Sequence, residues 1–190
     1  MVVNKELLEW KNVKLVKYEE KYFNYIYNEY QDYNSRYLFT NDLNITSKSK
    51  MWEILNKKLI NNYHEFMIIV NKPTNLPIVF IYSYDYDVRN NYLYITLFIE
   101  KKSRNSIYGV ESGMIFLNYL FNKYPIRKVY CTVYKYNKMS FKFLQNAEFE
   151  MEGVLKEHRY FDGKYHDMMI FSFNREKLDD LNKRLKYSKK

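Results

Sequence analysis

The sequence predicts an α/β fold of the α+β kind: a mixed, mostly antiparallel twisted sheet flanked by helices. Three observations carry that expectation. Apolar residues near the start recur at helical spacing; three dense apolar runs of strand length follow; and a later strand–helix–strand segment requires one parallel pair within the sheet. The 190 residues suffice for one domain with a substantial core. We expect a single domain over 1–190, with its core at about 13–173 and a C-terminal helix and basic tail over 174–190.

Val13-Lys14-Leu15-Val16 reads as a short strand. From Glu19 to Tyr33, the residues Tyr22, Phe23, Ile26 and Tyr30 share one helical face. A second helix follows Thr46 or Ser47, either of which can serve as N-cap, with Met51, Trp52, Ile54, Leu55 and Leu59 apolar. The period then shortens. Glu65–Val70, Pro77–Tyr82 and Tyr92–Ile99 read as a three-strand meander, with Asn71–Asn75 as its first turn. Tyr108–Lys123 is helical and stopped by Pro125; Ile126–Tyr134 is a strand and Lys138–Gln145 a short helix. Phe149–Phe161 and Tyr165–Phe173 form a hairpin about Asp162-Gly163, and Arg175 opens a surface helix.

Composition excludes several classes. Only four glycines and three prolines disfavour Gly-rich architectures, and the lone cysteine excludes a disulfide framework and any Cys metal cluster. No metal is expected. The start lacks the apolar segment of a signal peptide, and no apolar run approaches 18 residues, so a cytoplasmic protein with no membrane partner is expected. The net charge of +9 raises nucleic acid as a partner. Yet 24 of the 31 basic residues are Lys, and Asn and Tyr are abundant beside a single Ala, a pattern of AT-biased coding rather than of phosphate contacts. Only Lys183-Arg184-Leu185-Lys186 and Lys189-Lys190 cluster. Nucleic acid is therefore not the expected partner. Cys131, within Val129–Val133, reads as strand core rather than as a nucleophile.

Three segments resemble a known family. They are Leu97 to Glu111, Val133 to Ser140, and Gly153 to Asp167, the last containing Asp162-Gly163-Lys164-Tyr165-His166-Asp167. Together they resemble the GNAT superfamily of acyl-CoA-dependent N-acyltransferases, in the branch of ribosomal-protein N-terminal, spermidine and amino-sugar acetyltransferases. The resemblance implies a GNAT-like sheet with a V-shaped split between two parallel strands. It implies acetyl-CoA as cosubstrate and an amine acceptor, either a small molecule or a protein N-terminus, in a monomer or homodimer. The amine would attack the thioester directly in a ternary complex. Physics supports one part independently: a strand-to-helix loop aims several backbone N–H groups, aided by the helix macrodipole, at one place suited to a pyrophosphate.

Residue by residue, the resemblance assigns cofactor binding to Leu97, Phe98, Ile99, Arg104, Asn105, Ser106, Ile107, Tyr108, Gly109, Val110, Asn137 and Ser140. The backbone of Leu97 and Ile99 would hold the pantetheine arm like an added strand. Arg104 and Gly109 fit the family's loop pattern, whereas Ile107 stands where a glycine is usual. Tyr94 occupies the place of a Glu found in many members, Leu144 that of a Tyr, and Glu148 that of a glycine. Candidate catalytic residues are Asn137, Tyr94 and His166, with Glu100, Tyr134 and Tyr136 as further polar groups near the expected cleft. Asn137 reads equally as a helix N-cap, and His166 as a structural hairpin residue. Adjacent strand residues face opposite ways, so Asp167 is not expected to orient His166. Glu19, Glu20, Glu29 and Asp32 could receive a cationic acceptor. Two other readings stand beside the N-acetyltransferase: a catalytically impaired acyl-CoA-binding or interaction module of the same fold, and a basic nucleic-acid binder.

Overall fold

The computed structural model describes residues 8–38, 47–104 and 106–187. Among the described residues, seven strands are hydrogen-bonded in the order β1-β2-β3-β4-β5-β7-β6. They are β1 (Val13–Lys17), β2 (Tyr63–Asn71), β3 (Pro77–Asp87), β4 (Tyr92–Ile99), β5 (Lys128–Tyr134), β6 (Glu150–Phe161) and β7 (Lys164–Asn174). The helices are α1 (Phe23–Gln31), α2 (Tyr33–Arg36), α3 (Lys48–Asn61), α4 (Tyr108–Lys123), α5 (Lys138–Asn146) and α6 (Arg175–Tyr187). The chain divides into two compact units. One holds the described residues up to Tyr86 together with Ile95–Tyr119; the other holds Asp87–Tyr94 and the residues from Leu120 onward.

In the first unit, β1 pairs antiparallel with β2, and β2 with β3. Central strands covered on both faces read as continuous apolar runs, and Met67–Val70 and Ile78–Ile81 are all buried. Alternation sorts them by face. Ile68, Val70, Phe80, Tyr82 and Phe98 pack with Phe23 and Ile26 of α1 and Met51 and Leu55 of α3. On the opposite face Glu65 accepts a hydrogen bond from the Tyr119 hydroxyl of α4 at 3.1 Å. Ser47 caps α3, its hydroxyl accepting from the Lys50 amide at 3.2 Å. Thr46, the other candidate cap, lies outside the described residues.

Two elements differ from expectation, each for a local reason. The helix expected over Glu19–Tyr33 begins as a single 3-10 turn, Glu20–Tyr22, and breaks at Asp32, whose backbone is extended (ψ 102°). Asp32 then opens α2: its carbonyl accepts from the Ser35 and Arg36 amides, and its carboxylate from the Ser35 hydroxyl at 2.6 Å. β3 runs on to Asp87 instead of stopping at Tyr82. Its polar end is held because the buried Ser83 hydroxyl accepts from the Glu65 amide at 3.1 Å.

In the second unit, β5 alternates strictly, with Val129, Cys131 and Val133 buried. It pairs antiparallel with β7 along its whole length. Its parallel pairing with β4 covers Tyr92–Tyr94 against Lys128–Tyr130 and, among the described residues, goes no further. Phe171 and Phe173 of β7 meet Phe141, Phe149 and Phe121 in aromatic contacts of 5.0–6.4 Å. Arg175 binds the Ile126 and Tyr124 carbonyls at 2.9 and 2.8 Å. The β6–β7 turn places Asp162 and Gly163 at positive φ (50° and 76°), as the expected two-residue hairpin requires.

Helix α5 ends in a Schellman arrangement. The Glu148 amide binds the Gln145 carbonyl, the Phe149 amide binds the Leu144 carbonyl, and Glu148 takes φ +60°. The left-handed position that suits glycine is therefore present, but occupied by a residue with a Cβ. Glu148→Gly is expected to stabilise the protein by about 0.5–1 kcal/mol, the relieved left-handed strain less the entropy gained by the unfolded chain. A rise in urea midpoint at constant slope checks this; an unchanged midpoint would mean that the strain at Glu148 does no more than offset the entropy the unfolded chain gains.

Candidate active site

The loop between β4 and α4 belongs wholly to the first unit and gathers most of the expected cofactor residues. After Ile99, Lys101–Ser103 make one 3-10 turn. It is closed by the Ser103 amide on the Glu100 carbonyl at 3.0 Å and the Ser103 hydroxyl on the Glu100 carboxylate at 2.8 Å. The Glu100 amide donates to the Ile78 carbonyl at 3.1 Å, which fixes the loop's departure from the sheet. Asn105 lies outside the described residues. The Ser106 hydroxyl donates to the Ser103 carbonyl and accepts from the Tyr108 amide at 3.3 Å.

Helix α4 starts with the Glu111 amide on the Ile107 carbonyl at 3.0 Å. The amides of Gly109 and Val110 precede any intrahelical carbonyl they could reach, as in every helix start. Ile107, 54% exposed, and Val110, 36% exposed, flank the buried Gly109. Ile107 is not among the residues at positive φ. The backbone thus keeps its helix-start form without the glycine usual there, and the donor geometry suits a pyrophosphate. Behind the turn, the buried Glu111 carboxylate accepts the Asn12 amide and side chain at 3.2 and 3.0 Å, anchoring the helix start to the segment before β1.

Arg104 is turned inward. Its Nε donates to the Ile99 carbonyl at 3.0 Å and its Nη2 to the Ser35 hydroxyl at 2.9 Å, with the guanidinium 5.7 Å from the Phe98 ring centre. Through Ser35 the chain reaches Asp32. Arg104 therefore ties the end of β4 to α2, a link that no spacing in the sequence announced. Nearby, burial first, and then the Glu100 and Asp32 carboxylates, hold the Glu29 carboxyl above its usual range, while Arg104 opposes the shift. The Tyr25 phenol is pushed well up by burial, with Glu29 and Glu100 adding to the effect. Glu19 and Glu20, the other acids proposed for a cation, sit at the exposed 3-10 turn, where Glu19 pairs with Lys21 at 2.9 Å.

The remaining candidates lie in the second unit. Tyr94 is stacked on Tyr130, centroids 5.3 Å apart, with Tyr92 edge-on to both. Asn137 is buried, and its Oδ1 accepts from the Ser140 amide at 3.2 Å, so these two residues form the N-cap of α5. His166 Nε2 is 3.1 Å from the Phe161 carbonyl, and its ring meets Tyr136 edge-on at 4.9 Å. Asp167 is engaged elsewhere, accepting from Lys135 Nζ and from the Glu157 amide, both at 3.1 Å, and these bonds hold its carboxyl below the usual range. It does not orient His166, as alternation required. Arg159 lies over Tyr134 at 4.5 Å beside the same cluster. Cys131 is buried, and that burial pushes its thiol well up, so it is held as a neutral core side chain. Leu144 is likewise buried. Among the described residues no group of three or more His, Cys, Asp or Glu could hold a metal ion, and no helix is long and apolar enough to cross a membrane.

The profile of the acetyltransferase (GNAT) domain matches residues 23–170, more than half of the chain. The chain belongs to the GNAT acetyltransferase family. Members of this family use acetyl-CoA as cosubstrate. Solved structures agree on the fold. The chain is similar to the spermidine N-acetyltransferase of Vibrio cholerae in complex with CoA and spermine (TM-score 0.80, 17% identity, 88% of this chain and 98% of that one). It is also similar to a GNAT-family acetyltransferase of Bacillus anthracis (TM-score 0.75, 15% identity, 89% and 98% covered). A third is RimL, a ribosomal L7/L12 alpha-N-protein acetyltransferase solved with coenzyme A (TM-score 0.76, 13% identity, 87% and 95% covered). No curated protein matches the sequence. The expected mixed sheet with one parallel pair is thus the GNAT fold.

Proposed function

We propose that this GNAT protein is an acetyl-CoA-dependent N-acetyltransferase that acylates a primary amine by direct attack in a ternary complex. The observation that carries the reading is the start of α4, where the Gly109 and Val110 amides stand at the positive end of a 16-residue helix within the segment that matches the GNAT domain. When bound there, acetyl-CoA supplies an activated acetyl thioester. The protein's residues would do the rest: Ser106, Ile107, Tyr108, Gly109 and Val110 binding the pyrophosphate through the helix start, and the Leu97 and Ile99 backbone holding the pantetheine arm. Arg104 would serve this site by fixing Ile99, with Phe98 packed beneath it. Asn137 and Ser140 would shape the start of α5, and Tyr94 and His166 would stand as polar wall residues. The enclosed Cys131 argues against a covalent enzyme intermediate.

The acceptor class is that of the neighbours' substrates, a polyamine or a protein N-terminus. Glu29 and Asp32 of the α1–α2 segment, with Glu100 at the end of β4, would give the acceptor site the charge that either cation needs. Titration calorimetry with acetyl-CoA, followed by initial rates against spermidine, an N-terminal peptide and an amino sugar, tests the reading. It predicts binding and intersecting double-reciprocal lines; parallel lines would refute the ternary complex. The stacking of Tyr94 on Tyr130 favours one second reading, an acyl-CoA-binding module with little turnover, because a ring packed as a wall supplies no base at that position.

A further inference from the structure

Arg104 stands on the loop that the acetyl-CoA reading gives to the pyrophosphate, yet its guanidinium is engaged inside the first unit. Its Nε donates to the Ile99 carbonyl at 3.0 Å and its Nη2 to the Ser35 hydroxyl at 2.9 Å. Ser35 is fully buried in α2. Its one hydroxyl proton goes to the Asp32 carboxylate at 2.6 Å, so its oxygen accepts from Arg104. The line therefore runs one way, from a cation through a hydroxyl to an anion, and both bonds are charge-assisted. The Phe98 ring, buried and stacked on Phe80 at 4.7 Å, lies 5.7 Å from the guanidinium and backs it on a third side.

The other end of this line is the peptide between Ile99 and Glu100. The Glu100 amide donates to the Ile78 carbonyl on β3. A trans peptide is planar, so the Ile99 carbonyl points the opposite way, to the β4 edge remote from β3. Leu97, two residues back, offers its backbone groups along that same edge. These are the groups expected to hold the pantetheine arm. Ile78 thus holds one side of the peptide and Arg104 the other, and its plane cannot turn. A carbonyl has two lone pairs, so Ile99 still has one for the arm. Turning Arg104 outward to a phosphate would take its donor from the buried Ser35 oxygen, a loss that burial makes costly.

We propose that Ser35, held by Asp32, is a positioning residue for acetyl-CoA. It fixes Arg104 against the Ile99 carbonyl, so that Arg104 orders the strand receiving the pantetheine arm and does not bind the phosphates. The pyrophosphate is left to the amides at the start of α4. This assignment rests on the acetyl-CoA reading of the loop.

Titration calorimetry on the full-length protein compares acetyl-CoA, which carries the arm, with 3′-phosphoadenosine 5′-diphosphate, which carries the same phosphates without it. The variants are Ser35→Ala, Arg104→Gln and Arg104→Lys, each accompanied by a thermal melt. Ser35→Ala and Arg104→Gln are expected to weaken acetyl-CoA about 10-fold, as loss of one hydrogen bond to a charged group would, and to leave the affinity of the armless ligand unchanged. Arg104→Lys keeps the charge but lacks the rigid fork that spans two acceptors, so it should follow Arg104→Gln. It also keeps an aliphatic stem at this half-buried position, and so remains informative if Ser35→Ala lowers the melting temperature. Equal losses for both ligands in the Arg104 variants would put the guanidinium on the phosphates and overturn the proposal. Unchanged acetyl-CoA affinity in folded Ser35→Ala would overturn it too. Failure of both ligands to bind the unaltered protein would overturn the acetyl-CoA reading of the loop, and the proposal with it.

Discussion

Gly109→Pro is expected to abolish detectable binding of acetyl-CoA at concentrations that saturate the unaltered protein. Gly109 is the second residue of α4, and its amide is one of the donors that the helix start leaves unpaired. Proline removes that N–H, and a hydrogen bond to a charged group contributes about 1.5–3 kcal/mol, or roughly 10- to 100-fold in affinity. Its ring also pushes the preceding residue out of the helical region, so the Tyr108 backbone moves and the Val110 amide loses its aim. The two effects act on one anion and compound. The helix itself should survive, because no intrahelical bond is lost in its first turn and the Glu111–Asn12 anchor stands behind it. Calorimetry with acetyl-CoA, together with a thermal melt, separates the outcomes. Intact affinity in a folded variant would move the pyrophosphate elsewhere. The converse substitution, Ile107→Gly, should tighten binding, since Ile107 is exposed and its removal opens close approach to the turn.

Phe80→Ala is expected to destabilise the protein by about 3–5 kcal/mol, a large share of the 5–15 kcal/mol that holds a typical domain. Phe80 is fully buried and is the hub of the first unit's aromatic layer. Its ring meets Phe98 at 4.7 Å, Tyr30 at 6.0 Å, Phe66 at 6.2 Å and Tyr25 at 6.5 Å. Four rings fixed by strands and helix cannot collapse into the space left, so the cavity cost is not relaxed away. The effect reaches the site because Phe98 supports the Arg104 guanidinium that fixes the Ile99 carbonyl. Urea denaturation should show a lower midpoint with little change in slope. A loss below about 1 kcal/mol would mean that the layer repacks and that Phe98 is not held by Phe80.

Residues whose role is local were legible in the sequence. Val129, Cys131 and Val133 alternate and are buried in alternation; Ser47 caps α3; Asp162-Gly163 turns the hairpin. The parallel pair followed from the strand–helix–strand crossover, and the helix-start loop from the segment Leu97–Glu111. What was illegible depends on partners distant along the chain. Ser83 extends β3 because the Glu65 amide needs an acceptor there, and Asp32 breaks a helix because Ser35 and Arg104 continue its hydrogen-bond chain. Arg104 matched a loop pattern, yet its direction was set by the Ile99 carbonyl and the Ser35 hydroxyl. Glu148 shows the reverse: the glycine is missing, but the left-handed turn it serves is kept.

The most direct test of the central claim is a thiol-release assay on the unaltered protein with acetyl-CoA and, in turn, spermidine, an N-terminal peptide and an amino sugar. The account predicts saturable release of coenzyme A that requires both substrates, with acetyl recovered on the acceptor nitrogen. Binding of acetyl-CoA with no thiol release above hydrolysis for any amine would contradict it.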